Sequence, residues 1–359
     1  MAEQKPLRIG DLTVPLPLIQ GGMGVGVSLS GLAGAVAKSG GIGLISTAQI
    51  GFRDPEFHKN PIETNLRVMK EELDKARAIA PKGILGFNIM VATKRYEDYV
   101  KAALKAGADI IVSGAGLPVD LPKYAKGFKT KLAPIVSSLK AAKLICKLWD
   151  RRYQTTPDLV VIEGPRAGGH LGFSEEELKT YTDASYEEEI KKIISAVREC
   201  GEKYHKEIPV VVAGGIYNGD DVQHMLEEVG ADGVQVGTRF VTTEECDAPM
   251  SYKERYLNAE EEDIVITKSP VGMPGRAIRN SFLTADHTQE NRQGGCLQCL
   301  EKCNPAQIPY CITQALVNAV TEKTEQALLF CGSNAYRSER METVPRVIAD
   351  LFGFACNPA

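Results

Sequence analysis

From Leu18 to about Phe240, short apolar runs rich in β-branched residues alternate with longer stretches whose apolar positions recur every three or four residues. Glycines fall where the short runs end. A run that is apolar throughout suits a strand covered on both faces, and a 3.6-residue period suits a helix laid over it, so the rhythm predicts βα units and a parallel sheet. The predicted strands are Pro17–Gln20, Gly43–Ser46, Ile84–Met90, Asp109–Ser113, Leu132–Ser137, Leu159–Glu163, Pro209–Ala213 and Gly233–Gly237. Helical spacing marks Ser30–Lys38, Pro61–Ile79, Arg95–Ala106, Leu139–Leu148, Tyr186–Tyr204 and Asp220–Glu228. Short oxygen side chains predict caps, Ser28 or Ser30 for the first helix and Asn218 to Asp220 for the last. The same alternation would also build an open doubly wound sheet. Strand count and length favour a closed (β/α)8 TIM barrel.

After Phe240 the alternation stops. A polar segment, Thr242 to Asp263, leads into the Gly- and Pro-bearing run Ser269–Asn280, which predicts an insertion or lid. Helical patterns at Gln307–Thr321, Glu325–Phe330 and Val344–Phe352 predict a mostly helical, Cys-rich C-terminal appendage. The expected organisation is a barrel over residues 1–241, an insertion over 242–290 and a cysteine-bearing helical segment over 291–359 that returns to the barrel.

The chain has 359 residues, 43% hydrophobic and 25% charged, the balance of a packed globular protein. Lys and Arg number 42 against 46 Asp and Glu, with no block of like charge, which argues against nucleic acid or an anionic lipid surface as partner. No stretch approaches the ~20 apolar residues of a membrane span, and Met1 to Gly10 lacks the form of a secretion signal. The expected setting is cytoplasmic and the expected partner a small-molecule substrate.

Three glycine-rich strand ends carry chemistry. The first strand runs into GGMGVGVS, Gly21 to Ser28, where bare backbone lets a flat ring or a phosphate approach. A tight turn alone would read the same way, and the spacing is not that of the dinucleotide fingerprint. AGG at Ala213–Gly215 and VGTRF at Val236–Phe240 end the last two strands, the usual place of a barrel's phosphate cradle. Thr238 adds a hydroxyl there, and Arg239 either meets the phosphate or sits in a surface pair. EGPRAGGHLGF, Glu163 to Phe173, sets Glu163, Arg166 and His170 on one glycine-bearing loop, and of five histidines only His170 is so placed for acid–base or orienting work.

Four of nine cysteines, Cys296, Cys299, Cys303 and Cys311, fall as C-x2-C-x3-C-x7-C. Crowded thiols in a large chain point to a metal centre before disulfides. An iron–sulfur 4Fe-4S cluster is the first expectation, with structural zinc and unligated thiols as alternatives and Cys331 as a substitute ligand. Cys146, Cys200, Cys246, Cys331 and Cys356 are expected to be buried or idle.

QGGMG, GFNIMV, EGPRAGGHLGF, VVAGGI and GADGVQVGTRF, in this order, resemble the nitronate monooxygenase (2-nitropropane dioxygenase) family and its relatives, the flavin-dependent enoyl-ACP reductases. The likeness runs from about Leu16 to Asn280, with an echo at CGSNA, Cys331–Ala335. It implies a barrel that binds FMN. By motif position, Gly22 and Met23 would lie against the isoalloxazine, Asn88 and Gln235 would bond polar ring or ribityl atoms, and Gly214, Gly215, Gly237 and Thr238 would hold the phosphate. Glu163, Gly168, Gly169 and Ser333 join the cofactor-binding set, and His170 matches the family's active-site histidine. Pro165 and Arg166 depart from many members, as does the cysteine segment, whose opening resembles the cluster loop of 2,4-dienoyl-CoA reductases.

The leading expectation is an FMN-dependent reductase of an activated C=C, fed by NAD(P)H or a ferredoxin-like donor through the iron–sulfur cluster, possible as a homodimer. The alternatives are oxidation of alkyl nitronates by O2 and a non-enzymatic flavin and iron–sulfur electron-transfer or redox-sensing protein.

Overall fold

A computed structural model describes residues 5–270, 272–287 and 296–354. Cys356 and Val271 lie outside the described residues. The strands are β1 (Leu7–Ile9), β2 (Leu12–Val14), β3 (Leu18–Gln20), β4 (Ile42–Ser46), β5 (Ile84–Met90), β6 (Ile110–Gly114), β7 (Lys131–Val136), β8 (Val160–Glu163), β9 (Gly169–His170), β10 (Val210–Ala213), β11 (Gly233–Val236), β12 (Ile264–Lys268) and β13 (Pro274–Ile278). Eight of them, β3 to β8 with β10 and β11, close a parallel barrel whose neighbours follow chain order. All eight are the strands predicted from the pattern, with ends shifted by at most one residue. The fold is a (β/α)8 barrel.

The bottom of the barrel is sealed by a hairpin the pattern reading missed. β1 and β2 pair antiparallel around Gly10, whose φ of +61° makes the turn. Leu7, Ile9 and Val14 then join Ile19, Ile42, Leu44, Ile110, Val112, Leu159 and Val161 in the barrel's inner core. The signal was present in LRIGDLTV, two alternating triplets about a Gly-Asp turn.

Helix ends show where local reading holds and where it fails. Asn218 caps helix Gly219–Gln223 as expected, its side chain accepting from the Asp221 N–H in a capping box. For helix Ser30–Lys38 the expectation of a Ser28 or Ser30 cap is corrected. Leu29, Gly31 and Leu32 N–H donate to the Asp247 carboxylate at 2.8, 3.0 and 3.1 Å, and Ser30 N–H donates to Glu72 at 3.0 Å. A carboxylate two hundred residues away does the work of a cap because the helix N-terminus attracts negative charge. Ser28 instead folds inward, its hydroxyl accepting from Met23 N–H and from the Gln20 amide.

Helix Val344–Phe352 packs on helices Ser30–Lys38 and Gly219–Gln223, and its Val344, Val347, Ile348 and Leu351 share a core with Leu18, Leu32, Val36 and Val234. That is the place of the barrel's eighth helix. The chain from Thr242 to Thr343 is thus an excursion between the eighth strand and the helix that follows it. The excursion is not helical throughout: β12 and β13 form a hairpin, and the helix expected at Glu325–Phe330 is replaced by a short turn and an extended strip. Leu329 accepts from Ile278 N–H at 2.9 Å and Phe330 bridges Ala277, because three consecutive apolar residues, Leu328 to Phe330, are more fully buried along the edge of β13 than on one helix face.

Candidate functional site

The C-terminal ends of the eight barrel strands open into one cavity of about 470 Å³. Its walls include Gly21, Ser46, Asn88, Gly114, Val136, Glu163, Ala213 and Gln235, one from the end of each strand. The size falls within the ~300–1,000 Å³ of sites that enclose a cofactor-sized molecule.

On one side the walls are backbone. Gly214 and Gly215 have φ of +99° and +85°, so a side chain there would be strained. A Cβ on Gly214 would also come within 2.9 Å of Ala167 N. Gly237 and Thr238 end the neighbouring strand, and Thr238 Oγ1 accepts from Gly332 N–H at 2.9 Å, which ties the Gly332–Asn334 loop to the cradle. Asn334 donates to Gly215 O at 2.6 Å and Ser333 N–H to Arg166 O at 3.1 Å. Across the barrel mouth, Gly22 leaves room that a Cβ would lose to the Asn88 side chain. Arg239 is not in the cavity. It is 7% exposed and ion-paired with Glu342 and Asp350, neither the phosphate ligand nor the surface pair expected.

Among the titratable groups that line the cavity, Glu163 and His170 are the carboxyl and the imidazole. Glu163 stands at the end of β8 and lines the cavity, and burial pushes its carboxyl up to about 7. His170 lies on β9, which the excursion captures as a third strand: His170 pairs with Gly275 and Gly169 with Arg276. Burial holds the His170 imidazole down to about 4, so it is neutral near pH 7. Its Nε2 shares a 2.8 Å hydrogen bond with Ser269 Oγ, and its ring meets Phe330 edge to face at 5.0 Å. The β12–β13 hairpin therefore aims the histidine. Arg166 pairs with Asp183 at the rim, and the half-buried Arg276 guanidinium donates to Ala167 O beneath the loop.

The remaining wall comes from the cysteine segment. Lys94 N–H donates to Cys299 O at 3.1 Å, Glu301 N–H donates to Ala92 O at 3.0 Å, and Thr93 bridges Leu300. This clasp seats the loop on the turn after β5, where Cys299, Leu300, Ile312, Thr313 and Leu316 line the cavity. Cys296 is exposed, Cys303 and Cys311 are half-buried, and none of the three lines it. Burial raises the Cys299 thiol, a hydrogen bond with Thr313 opposes this, and the other three cysteines add to the rise, so they stand in its neighbourhood. Among the described residues, however, no three His, Cys, Asp or Glu side chains converge to hold a metal ion.

The cavity brings together Gly22, Met23, Asn88, Glu163, Gly168, Gly169, His170, Gly214, Gly215, Gln235, Gly237, Thr238 and Ser333, all singled out from sequence. Absent from that set are Thr93, Tyr252 and Tyr256. The two tyrosines sit four residues apart on helix Met250–Leu257, line the cavity and donate to Phe330 O at 3.3 and 2.6 Å. Their helical spacing was a usable signal, whereas a lone threonine in a polar turn offered none. Among the described residues no helix is long and apolar enough to cross a membrane.

Known proteins share this fold and family pattern. A family model described as nitronate monooxygenase matches residues 5–353. A probable nitronate monooxygenase of Staphylococcus saprophyticus is 28% identical over 297 residues, covering 76% of this chain and 78% of that protein. A Mycobacterium tuberculosis protein named (3aS,4S,5R,7aS)-5-hydroxy-7a-methyl-1-oxo-octahydro-1H-indene-4-carboxyl-CoA dehydrogenase is 26% identical, covering 74% of this chain and 64% of its own length. The structure of FabK from Thermotoga maritima superposes with a TM-score of 0.70 at 25% identity over 94% of this chain and 91% of that one. With the family model spanning nearly its whole length, the chain belongs to the nitronate monooxygenase family of oxidoreductases.

Proposed function

We propose that the chain is an FMN-dependent reductase of an activated C=C, the enoyl type of acceptor, taking electrons from NAD(P)H or a ferredoxin-like carrier. The observation that carries this reading is one cavity holding a bare backbone cradle, polar atoms with no protein partner, and a neutral imidazole. Gln235 Oε1 and Ser333 Oγ are buried there without a hydrogen bond, a cost of about 1–3 kcal/mol each that a bound polar ligand would remove. These residues fit the cofactor. Gly214, Gly215, Gly237, Thr238 and Ser333 would hold its phosphate, Gly22 and Met23 would lie against the ring, and Asn88 and Gln235 would meet polar ring or ribityl atoms. Bound FMN supplies hydride transfer, which no side chain offers.

The chain's own groups then divide the remaining work. His170, neutral and aimed by Ser269, uses its other ring nitrogen to orient the acceptor or hold a proton. Glu163, with its carboxyl raised to about 7, is matched to give or take a proton near neutrality. The hairpin and the cysteine-bearing wall keep water from the site. Nitronate oxidation is the second reading, favoured by the family and by the staphylococcal relative's name.

A 4Fe-4S cluster on Cys296, Cys299, Cys303 and Cys311 finds no support among the described residues, where no three His, Cys, Asp or Glu side chains converge to hold a metal ion, and no electron step is routed through them. Anaerobic purification tests this reading. We expect a flavin spectrum, reduction by NAD(P)H or a carrier, and turnover with enoyl acceptors that falls about 100-fold in His170→Ala while flavin is retained. Turnover with alkyl nitronate and O2 but not with enoyl acceptors would install the second reading, and absence of bound flavin would remove both. Iron with acid-labile sulfide would show that the thiols gather around a metal.

A further inference from the structure

Thr93 is 6% exposed, lines the cavity, and its Oγ1 has no hydrogen-bond partner. Unlike Gln235 and Ser333, it does not stand at the glycine cradle. It lies on the turn after β5, with its N–H donating to Met90 O and its backbone bridged to Leu300. A hydroxyl buried without a partner is costly, and the protein supplies none although Cys299 and Thr313 lie close by and bond to each other. Around it the walls are Met90, Ala92, Leu300, Ile312 and Leu316, and Ile312 and Leu316 share one face of helix Ile312–Ala319. Among the described residues, the charged side chains that line the cavity, Glu163 and Arg166, come from the other half of the barrel mouth.

We infer that this pocket is the acceptor subsite: it takes an uncharged molecule whose apolar part packs on Leu300, Ile312 and Leu316 and whose polar atom, a carbonyl or similar acceptor, receives a hydrogen bond from Thr93. The inference rests on the reductase reading for the word acceptor, and on the cavity alone for the chemistry of the ligand. It gives the cysteine segment a role as substrate wall independent of any metal. A charged head is disfavoured because among the described residues no counter-ion lines this end, and a carboxylate placed there would be desolvated without compensation.

The test is calorimetric titration of the flavin-loaded protein with N-methyloctanamide, an uncharged amide with no reducible bond, and with octanoate as the charged control. Bound flavin is read separately by absorbance, and the same titration on flavin-free protein keeps this inference distinct from the cofactor reading. The amide should bind and octanoate should not. Thr93→Val should weaken the amide about 5- to 20-fold, the size of one lost hydrogen bond, while Thr93→Ser stays within about threefold of wild type. Leu316→Trp should block it by filling the wall. Because Val removes an unsatisfied hydroxyl, Thr93→Val should unfold at the same or a higher temperature than wild type, which a structural role for Thr93 would not allow. Failure of the amide to bind wild type, equal binding by Thr93→Val, or octanoate binding as tightly as the amide would overturn the inference.

Discussion

The two sides of the cavity were built by different kinds of information. The cradle at Gly214, Gly215, Gly237 and Thr238 is made by consecutive residues at the ends of adjacent strands, and each glycine answers a local demand for backbone geometry. The wall at Thr93, Cys299, Leu300 and Leu316 joins segments some two hundred residues apart, held by two backbone hydrogen bonds and a bridge. A cradle of this kind tolerates little change at its own positions. The wall depends on whatever anchors the excursion that carries it.

The largest effect should come from Gly214→Val. With φ at +99° and Ala167 N in the way of a Cβ, the strand end must shift, and flavin affinity should fall more than about 100-fold, measured by retention through gel filtration. Binding within threefold of wild type would show that the cradle does not hold the cofactor. Asp247→Ala attacks the other side. It removes the acceptor of three helix N–H groups and loosens the start of the excursion from the barrel, at about 2–3 kcal/mol, read as a lower Tm. Acceptor binding should weaken more than flavin binding, and an equal loss of both would mean that the excursion and the barrel melt as one.

The smallest net effect on the wild-type chain concerns pH in the flavin-free protein. His170, lowered to about 4 from 6.5, is uncharged in the fold, so falling pH favours the unfolded chain and stability drops between about 6.5 and 4. Glu163, raised to about 7 from 4.5, prefers its proton in the fold, so its contribution is complete below 4.5 and is lost as pH rises to about 7. The two slopes have opposite sign and nearly cancel between pH 4.5 and 6.5. Glu163→Gln should expose the histidine slope, up to about 1.4 kcal/mol per pH unit, in urea unfolding across that range. A flat profile in the variant would show that the His170 shift is absent.

Much of the barrel was legible because each strand and helix carries its own period. The eight strands, helices Ser30–Lys38 and Pro61–Ile79, and the cap at Asn218 needed only neighbours within a few residues. The errors share a cause. Asp247 caps a helix it does not adjoin, Arg239 meets Glu342 and Asp350 from the far end of the chain, and Leu328–Phe330 became an edge strip because β13 stood ready to pair with it. His170 was found by its motif, but its strand partner Gly275 and its hydrogen-bond partner Ser269 lie about a hundred residues on. The cysteine spacing invited a metal reading that the folded positions do not support among the described residues.

The sequence by itself determined the barrel, the end of it that opens into the cavity and the glycines that line it, because hydrophobic period and backbone freedom are local properties that survive any tertiary context. Only the tertiary structure decided that the cysteine segment is a wall of the cavity, that a hairpin aims His170, and that the Thr93 hydroxyl is buried in the cavity wall with nothing to bond. Those outcomes turn on which distant surfaces exclude water from one another, and burial of that kind, with the pKa shifts and unsatisfied atoms it produces, has no counterpart in the order of residues along the chain.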